Sequence, residues 1–383
     1  MNPNSPLSGS SEGALAGLRV IDLTGVVLGP YATQILGDYG ADVIKIERPP
    51  LGDDTRQWGP PYDDTGSATY FQSVNRNKRS VAIDLSSHEG REQARRLIDT
   101  CDVLIENFVP GTMEKFGLGY DELSMARPDL VYASITGFGR TDLAATMPGY
   151  DLLVQAVGGL MSVTGPDPTQ PSKVGVALVD VITGLHCALG VMAALHHRSE
   201  TGEGQRVDVS LLGSTLSAMV NQSGAFVGAG VVPKAMGNAH PSIAPYETFD
   251  TADRALALAV GNDGQFRKCV DALGLPELAD DPRFATNPDR VANRHGLRAL
   301  LQAALVQHGA DHWSTVFTAA GVPCGPVNGL DEAFALAQRL GLDPIKLADG
   351  VKTVANPIAL SKTPPRYERR PPPVGETDIA EVL

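Results

Sequence analysis

Short apolar runs recur along the first half of the chain, each followed by an amphipathic stretch. Residues 18–23 (LRVIDL), 41–46 (ADVIKI), 80–84 (SVAID), 103–106 (VLIE) and 130–135 (LVYASI) read as strands. One helical pattern begins after Gly29-Pro30 and runs through Leu36, where Gly37 and Gly40 stop it; another covers 87–99. Residues 207–211 (VDVSL) read as one more strand of the same domain. This alternation predicts an α/β domain built on a largely parallel, doubly wound sheet, with ligands gathered at the carboxyl ends of its strands. The longest helical pattern spans about 181–197. It carries Leu185, Ala188, Leu189, Met192 and Leu195 on one side and ends before Gly202 and Gly204.

The texture then changes. Residues 221–237 are rich in Gly, Ala and Val, and 237–249 are dense in proline and polar groups. A strand pattern at 255–260 precedes helical patterns at 265–273, 293–307 and 312–320. The expected layout is a large domain over 1–224, a smaller α+β domain over 225–330, and a segment over 331–383 that returns to the large domain. That segment ends in a basic, proline-rich stretch, Thr363 to Pro371, which favours an extended arm packed on another element.

The chain has 383 residues, more than one core usually holds, which fits two domains. Hydrophobic residues make up 43% and charged residues 20%, a globular balance. A net charge of −13 disfavours nucleic acid as a partner, so an anionic substrate needs a local cluster of cations. The four cysteines are scattered without a CxxC pair, which suggests neither a zinc site nor a disulfide framework. The lead-in MNPNSPLSGSSEG lacks the marks of a signal peptide, and no run of 18 apolar residues occurs. The expectation is a cytoplasmic protein without a membrane or metal partner.

Asp180 stands where the longest helix begins. Backbone N–H groups and the positive end of the helix dipole favour an ionised carboxylate there. On pattern alone it is either an N-cap or a reactive group. Arg48, Lys78-Arg79, Asn107-Phe108 and Lys115 lie near strand ends, where cations neutralise phosphates and an aromatic ring packs on a base. Asp151, after Tyr150, reads as the cap of its own helix. His240 sits in an irregular stretch, and a lone histidine is more often structural than catalytic. The turn Gly25–Pro30 is no dinucleotide fingerprint, and no Walker, HExxH or GxSxG motif occurs.

Several blocks in one order carry a family resemblance. They are GLRVIDLT at 17–24, GADVIKIE at 40–47, NRNKRS at 75–80, ENF at 106–108 with Pro110-Gly111, ETGEGQ at 200–205 and GVPCGPV at 321–327. With them the sequence resembles the class III CoA-transferase family, also called the CaiB/BaiF family, over about residues 15–383. The branch it is most similar to comprises the succinyl-CoA-dependent dicarboxylate CoA-transferases.

The resemblance implies a Rossmann-like large domain and an interlocked homodimer. It implies that Asp180, between Gly175 and Gly184, is the nucleophile toward an acyl-CoA, forming mixed-anhydride and aspartyl-CoA intermediates with backbone N–H groups stabilising each oxyanion. Coenzyme A is then a substrate and no permanent cofactor is needed. Val26, Val27, Leu28, Arg48, Lys78, Asn107, Phe108 and Lys115 match positions that hold the nucleotide. Tyr150, Asn238, His240 and Ser242 match substrate-side positions. The family's racemase branch carries His-Asp where this chain has Tyr150-Asp151. Racemisation needs two acid/base groups flanking the α-carbon, so the tyrosine favours transfer over the alternative, an α-methylacyl-CoA racemase.

Overall fold

The computed structural model describes residues 13–383, and the lead-in read at 1–13 lies outside them except for Gly13. The chain divides into two units. One takes the described residues up to Leu160, then Val174–Gly230 and Asp343–Leu383; the other takes Met161–Lys173 and Val231–Leu342.

The first unit is built on six parallel strands: β1 (Arg19–Leu23), β2 (Asp42–Glu47), β3 (Lys78–Ala82), β4 (Val103–Glu106), β5 (Val131–Thr136) and β6 (Arg206–Ser210). Their order across the sheet is β3-β2-β1-β4-β5-β6. Alternate strand residues feed two separate cores. Val20, Val43, Val103, Val131 and Ala133 face the Leu28–Asp38 and Leu178–Thr201 helices. Ile21, Ile44, Leu104 and Tyr132 face the His88–Ile98 helix. Covering both faces explains why these strands read as continuous apolar runs. The order reverses between β1 and β4, which makes the loops after those two strands the walls of a ligand crevice.

The Leu178–Thr201 helix ends at Gly202, whose φ of 79° is left-handed and whose N–H reaches the Arg198 carbonyl at 2.8 Å. Its buried side differs from the one the apolar stripe suggested. Thr183, Gly184, Cys187, Ala188, Val191 and Ala194 are buried, whereas Leu185, Leu189 and Met192 are 43%, 69% and 40% exposed. The small residues win the core because the neighbouring helix comes close. A Cβ added at Gly184 would lie 2.5 Å from the Leu28 carbonyl oxygen.

The basic, proline-rich arm lies along the outer edge of β3. Asn77 N–H donates to the Arg369 carbonyl at 2.9 Å, and Ser80 accepts from Gly375 and Thr377 N–H groups, each at 3.0 Å. The arm thus occupies the edge that a parallel sheet otherwise leaves open.

The second unit carries an antiparallel sheet of β7 (Tyr246–Asp250), β8 (Ala255–Ala259) and β9 (Cys324–Pro326). Phe249, Leu256, Leu258, Phe266, Leu301 and Phe317 form its core with the Asp263–Ala272, Arg294–Leu305 and Ala310–Ala320 helices. A two-stranded hairpin, β10 (Ile345–Ala348) with β11 (Val351–Val354), opens the last segment of the first unit.

Candidate active site

The site begins at the start of the Leu178–Thr201 helix. Ala177 stands at the cap position and supplies no side-chain hydrogen bond. Asp180 is therefore the third residue of the helix, within its first turn, and not its cap. The capping group comes from another helix. Asp151, the first residue of the Asp151–Val157 helix, turns one carboxylate oxygen to the Val179 N–H at 2.9 Å and the Asp180 N–H at 3.3 Å. Its other oxygen accepts from the Gln155 side chain at 2.6 Å. Gln155 is fully buried, and its carbonyl oxygen accepts the Val174 N–H at 2.8 Å, which ties down the chain entering the helix. The expectation that Asp151 caps its own helix is corrected by these contacts.

This arrangement also disfavours the ionised form of Asp180 that the helix start was expected to favour. The residue is 4% exposed, and among the described residues no hydrogen-bond donor reaches its carboxylate. Burial first, and then the Asp151 charge, push the carboxyl up to about 7. The positive helix end that was expected to hold it ionised already faces the Asp151 carboxylate. The same contacts use the Val179 and Asp180 N–H groups, so those two are not free to stabilise an oxyanion. Tyr70 completes the local setting. Its hydroxyl is pushed up by burial and then by the charges of Asp180 and Asp151, and its ring meets Trp58 edge-on at 5.4 Å.

The crevice between β1 and β4 lies in the same unit. Asn107, just beyond β4, clamps Gly25, just beyond β1: its oxygen accepts the Gly25 N–H and its amide donates to the Gly25 carbonyl, both at 3.0 Å. Phe108 is half-buried and meets Phe116 edge-on at 6.2 Å, and Lys115 is exposed at the end of the short Thr112–Lys115 helix. Arg48, just beyond β2, is also exposed. Val27 and Leu28 are buried, while Val26 is half-buried with a left-handed φ of 69°.

Lys78 has a different place from the one expected at the nucleotide. It is buried beneath the crevice, and its ammonium donates to Asp22 at 3.0 Å, Asn75 at 2.8 Å and the Pro30 carbonyl at 2.9 Å. Those three partners match its three donors, leaving none for a phosphate. Burial outweighs Asp22 and lowers Lys78 to about 8. At Asp22, burial is overcome by the ammonium groups of Lys78 and Lys45, which hold the carboxyl well below the carboxylate range.

The remaining substrate-side residues fall differently. Tyr150 is 62% exposed beside Asp151. Asn238, His240 and Ser242 belong to the second unit. Asn238 lines a cavity of about 860 Å3 there, together with Glu247, Thr248, Arg294 and Arg298. His240 does not line that cavity; its Nδ1 accepts from the Ser242 N–H at 3.1 Å and its ring lies 5.4 Å from that of Tyr246. Two residues of the site escape sequence reasoning. Asp151 leaves only a faint signal, an acid one residue into a helix. Asp53, whose carboxylate reaches the Val26 N–H, leaves none.

Comparison with known proteins supplies the rest. A family model described as CoA-transferase family III matches residues 15–378. The succinate–glutarate CoA-transferase of Agrobacterium fabrum is 44% identical, over 96% of this chain and 94% of its own. The acetyl-CoA:oxalate CoA-transferase of Acetobacter aceti is 40% identical over 94% and 92%. A crystal structure of a CaiB/BaiF family protein from Brucella suis superimposes with a TM-score of 0.86 at 43% identity, covering 95% of this chain and 97% of that one.

Proposed function

We infer the reaction from the chain's membership of CoA-transferase family III: it belongs to that family and is a class III CoA-transferase acting on CoA thioesters. We propose dicarboxylic acids as its donor and acceptor, and Asp180 as the catalytic residue. The observation that carries the second point is a buried carboxylate without a recorded donor, held in place by a helix start that another carboxylate caps. Dicarboxylates are supported by the relatives, whose names give succinate, glutarate and oxalate.

The steps balance without a further reactant. An Asp180 oxygen attacks the thioester carbonyl of the donor, the C–S bond breaks, and CoA leaves as thiolate. The thiolate then attacks the Asp180 side-chain carbon of the mixed anhydride, freeing the donor acid and leaving an aspartyl-CoA thioester. The acceptor carboxylate attacks that same carbon and expels the thiolate, which finally takes the acceptor acyl group and restores Asp180. A carboxylate is a weak nucleophile, so positioning must supply much of the rate. The scaffold of Asp151 and Gln155 serves that need, and the raised Asp180 pKa makes its ionised form more basic and more nucleophilic.

The crevice between β1 and β4, with Arg48, Phe108 and Lys115 near its mouth, is proposed as the CoA site. The assembly is proposed as a homodimer. Leu185, Leu189 and Met192 leave an apolar face on the Leu178–Thr201 helix, and Leu216, Val220, Phe226 and Val227 are also exposed. A second copy covering that surface explains why the larger side chains point away from the core. Light scattering reporting a monomer would remove this part.

The reaction is tested with succinyl-CoA and glutarate, reading the CoA products by mass spectrometry. Asp180→Ala is expected to lose transfer while still binding CoA. Transfer by that variant near the wild-type rate refutes the assignment. α-Proton exchange into heavy water without any acceptor acid would instead support a racemase.

A further inference from the structure

The loop from Thr24 to Leu28 joins β1 to the Leu28–Asp38 helix, and side chains from four places in the fold grip its backbone. Thr24 N–H donates to Asp22 at 2.9 Å, and the Lys45 ammonium donates to the Thr24 carbonyl at 2.6 Å. Asn107 takes both polar groups of Gly25. Val26 N–H donates to Asp53 at 3.3 Å. That oxygen of Asp53 also accepts from the Thr55 N–H at 3.0 Å and the Thr55 hydroxyl at 2.7 Å, while its other oxygen lies 3.0 Å from the Lys45 ammonium. The side chains of Lys45 and Asp53 are 1% and 0% exposed.

So dense a grip needs a reason, and Val26 gives one. A β-branched residue with a φ of 69° is in a conformation that its side chain opposes. Such backbone persists only where the surroundings over-determine it. A relaxed Val26 would swing its peptide units and carry the wall of the crevice with them.

We propose that Asp53 is a positioning residue for CoA binding: anchored by Lys45 and Thr55, it holds Val26 left-handed and so fixes the Thr24–Leu28 loop in the shape that receives the CoA thioester. The proposal rests on the reading of the β1/β4 crevice as the CoA site. Asp53 itself touches no substrate. Beneath the loop, Asp22 and Lys45 hold the backbone of Thr24, and Asp53 holds the strained Val26.

The test uses the full chain with succinyl-CoA and glutarate. In Asp53→Ala the KM for the CoA thioester is expected to rise about tenfold, the effect of losing one charge-assisted hydrogen bond, while kcat stays within about twofold. Asp53→Asn keeps an acceptor for the Val26 N–H but turns an amide NH2 toward the Lys45 ammonium, and is expected to reverse part of the rise in KM. In the Asp53→Ala background, Val26→Gly is expected to lower KM again, because glycine takes left-handed backbone without strain. Should Asp53→Ala not fold, Thr55→Val, which removes one hydroxyl orienting Asp53, is expected to raise KM in the same sense by a smaller factor. An unchanged KM in whichever of these two variants folds, or a fall in kcat without a rise in KM, overturns the proposal. Wild-type protein that transfers no CoA would overturn the reaction itself, and protein that transfers CoA without responding at Asp53 would overturn only this inference.

Discussion

Replacing Asp151 with asparagine separates the two effects of that side chain. An asparagine oxygen can still accept the Val179 and Asp180 N–H groups, so the helix start keeps its cap; the bond from the Gln155 amide is lost, because the asparagine NH2 replaces the oxygen that accepted it, and the negative charge beside Asp180 is gone. The Asp180 carboxyl stands at about 7 against an ordinary 3.8, a difference of ~4 kcal/mol between its two protonation states. Burial contributes more than the Asp151 charge, which adds to it in the same direction. In the wild type, kcat/KM is expected to rise with pH through an inflection near 7, as Asp180 ionises. In Asp151→Asn that inflection moves to lower pH, because the like charge that helped to raise it is gone. The assay is the pH profile of kcat/KM for transfer from succinyl-CoA to glutarate, with the melting temperature as a check that the helix start is intact. An inflection that stays at about 7, or moves up, in a variant of unchanged melting temperature would show that the Asp151 charge does not act on Asp180, and the electrostatic reading of the site would fall.

Asp180 binds its proton more tightly in the folded state than in the unfolded one. Between about pH 4 and 7 the native state therefore keeps a proton that the unfolded chain has lost, and stability falls as pH rises. Asp180→Asn removes that penalty and is expected to melt a few degrees higher at pH 8, a gain on the order of 1–3 kcal/mol, with little gain at pH 4; calorimetry showing the same gain at both values would contradict it. Gly184→Ala places a Cβ 2.5 Å from the Leu28 carbonyl oxygen and is expected to cost about 1–3 kcal/mol by chemical denaturation while lowering turnover, since the clash lies one helical turn beyond Asp180; a neutral effect on both would show that the two helices separate easily.

Much of the large sheet was legible because its strands bury both faces. Runs such as VLIE at β4 and LVYASI over β5 are apolar at consecutive positions, and that feature is local. The second unit was harder. Tyr246–Asp250 (YETFD) has neither an apolar run nor a regular alternation, and its pairing with β8 is fixed by a partner further along the chain. The β10–β11 hairpin pairs Lys346 with Thr353 and Leu347 with Lys352, so it left no apolar run. At the site, Asp180 was marked by its place before a long helix and by the blocks around it. The role of Asp151 was not, because it depends on two helices meeting. Lys78 was misplaced for the same reason: the sequence shows a cation near a strand end, but only the fold shows that Asp22, Asn75 and Pro30 already use its donors. The face of the Leu178–Thr201 helix was misjudged because hydrophobicity ranks leucine above glycine, whereas close helix packing ranks them the other way.

A nucleophile set beside a second carboxylate starts from an unfavourable resting state, because burial and a neighbouring like charge both raise the energy of the ionised form. In the proposed reaction, the attack of Asp180 on the thioester converts its carboxylate into a neutral anhydride and carries the negative charge away on the leaving thiolate, and the side chain stays neutral in the aspartyl thioester that follows. The repulsion from Asp151 and the burial cost are both relieved at that step. The ~4 kcal/mol implied by the raised pKa is an upper limit on the relief. An anhydride is itself a high-energy species, so destabilising the free carboxylate narrows the gap that the enzyme must cross. Asp151 then has two effects from one position. Its hydrogen bonds hold the start of the Asp180 helix in place, and its charge makes the uncombined Asp180 less comfortable than the acylated one. A variant that keeps the first effect and loses the second should therefore accumulate less acyl-enzyme at the same concentration of acyl-CoA, even at a pH where Asp180 is fully ionised in both proteins. Rapid quenching followed by mass spectrometry of the intact chain measures that fraction, and an equal or larger fraction in Asp151→Asn would count against a destabilised resting carboxylate.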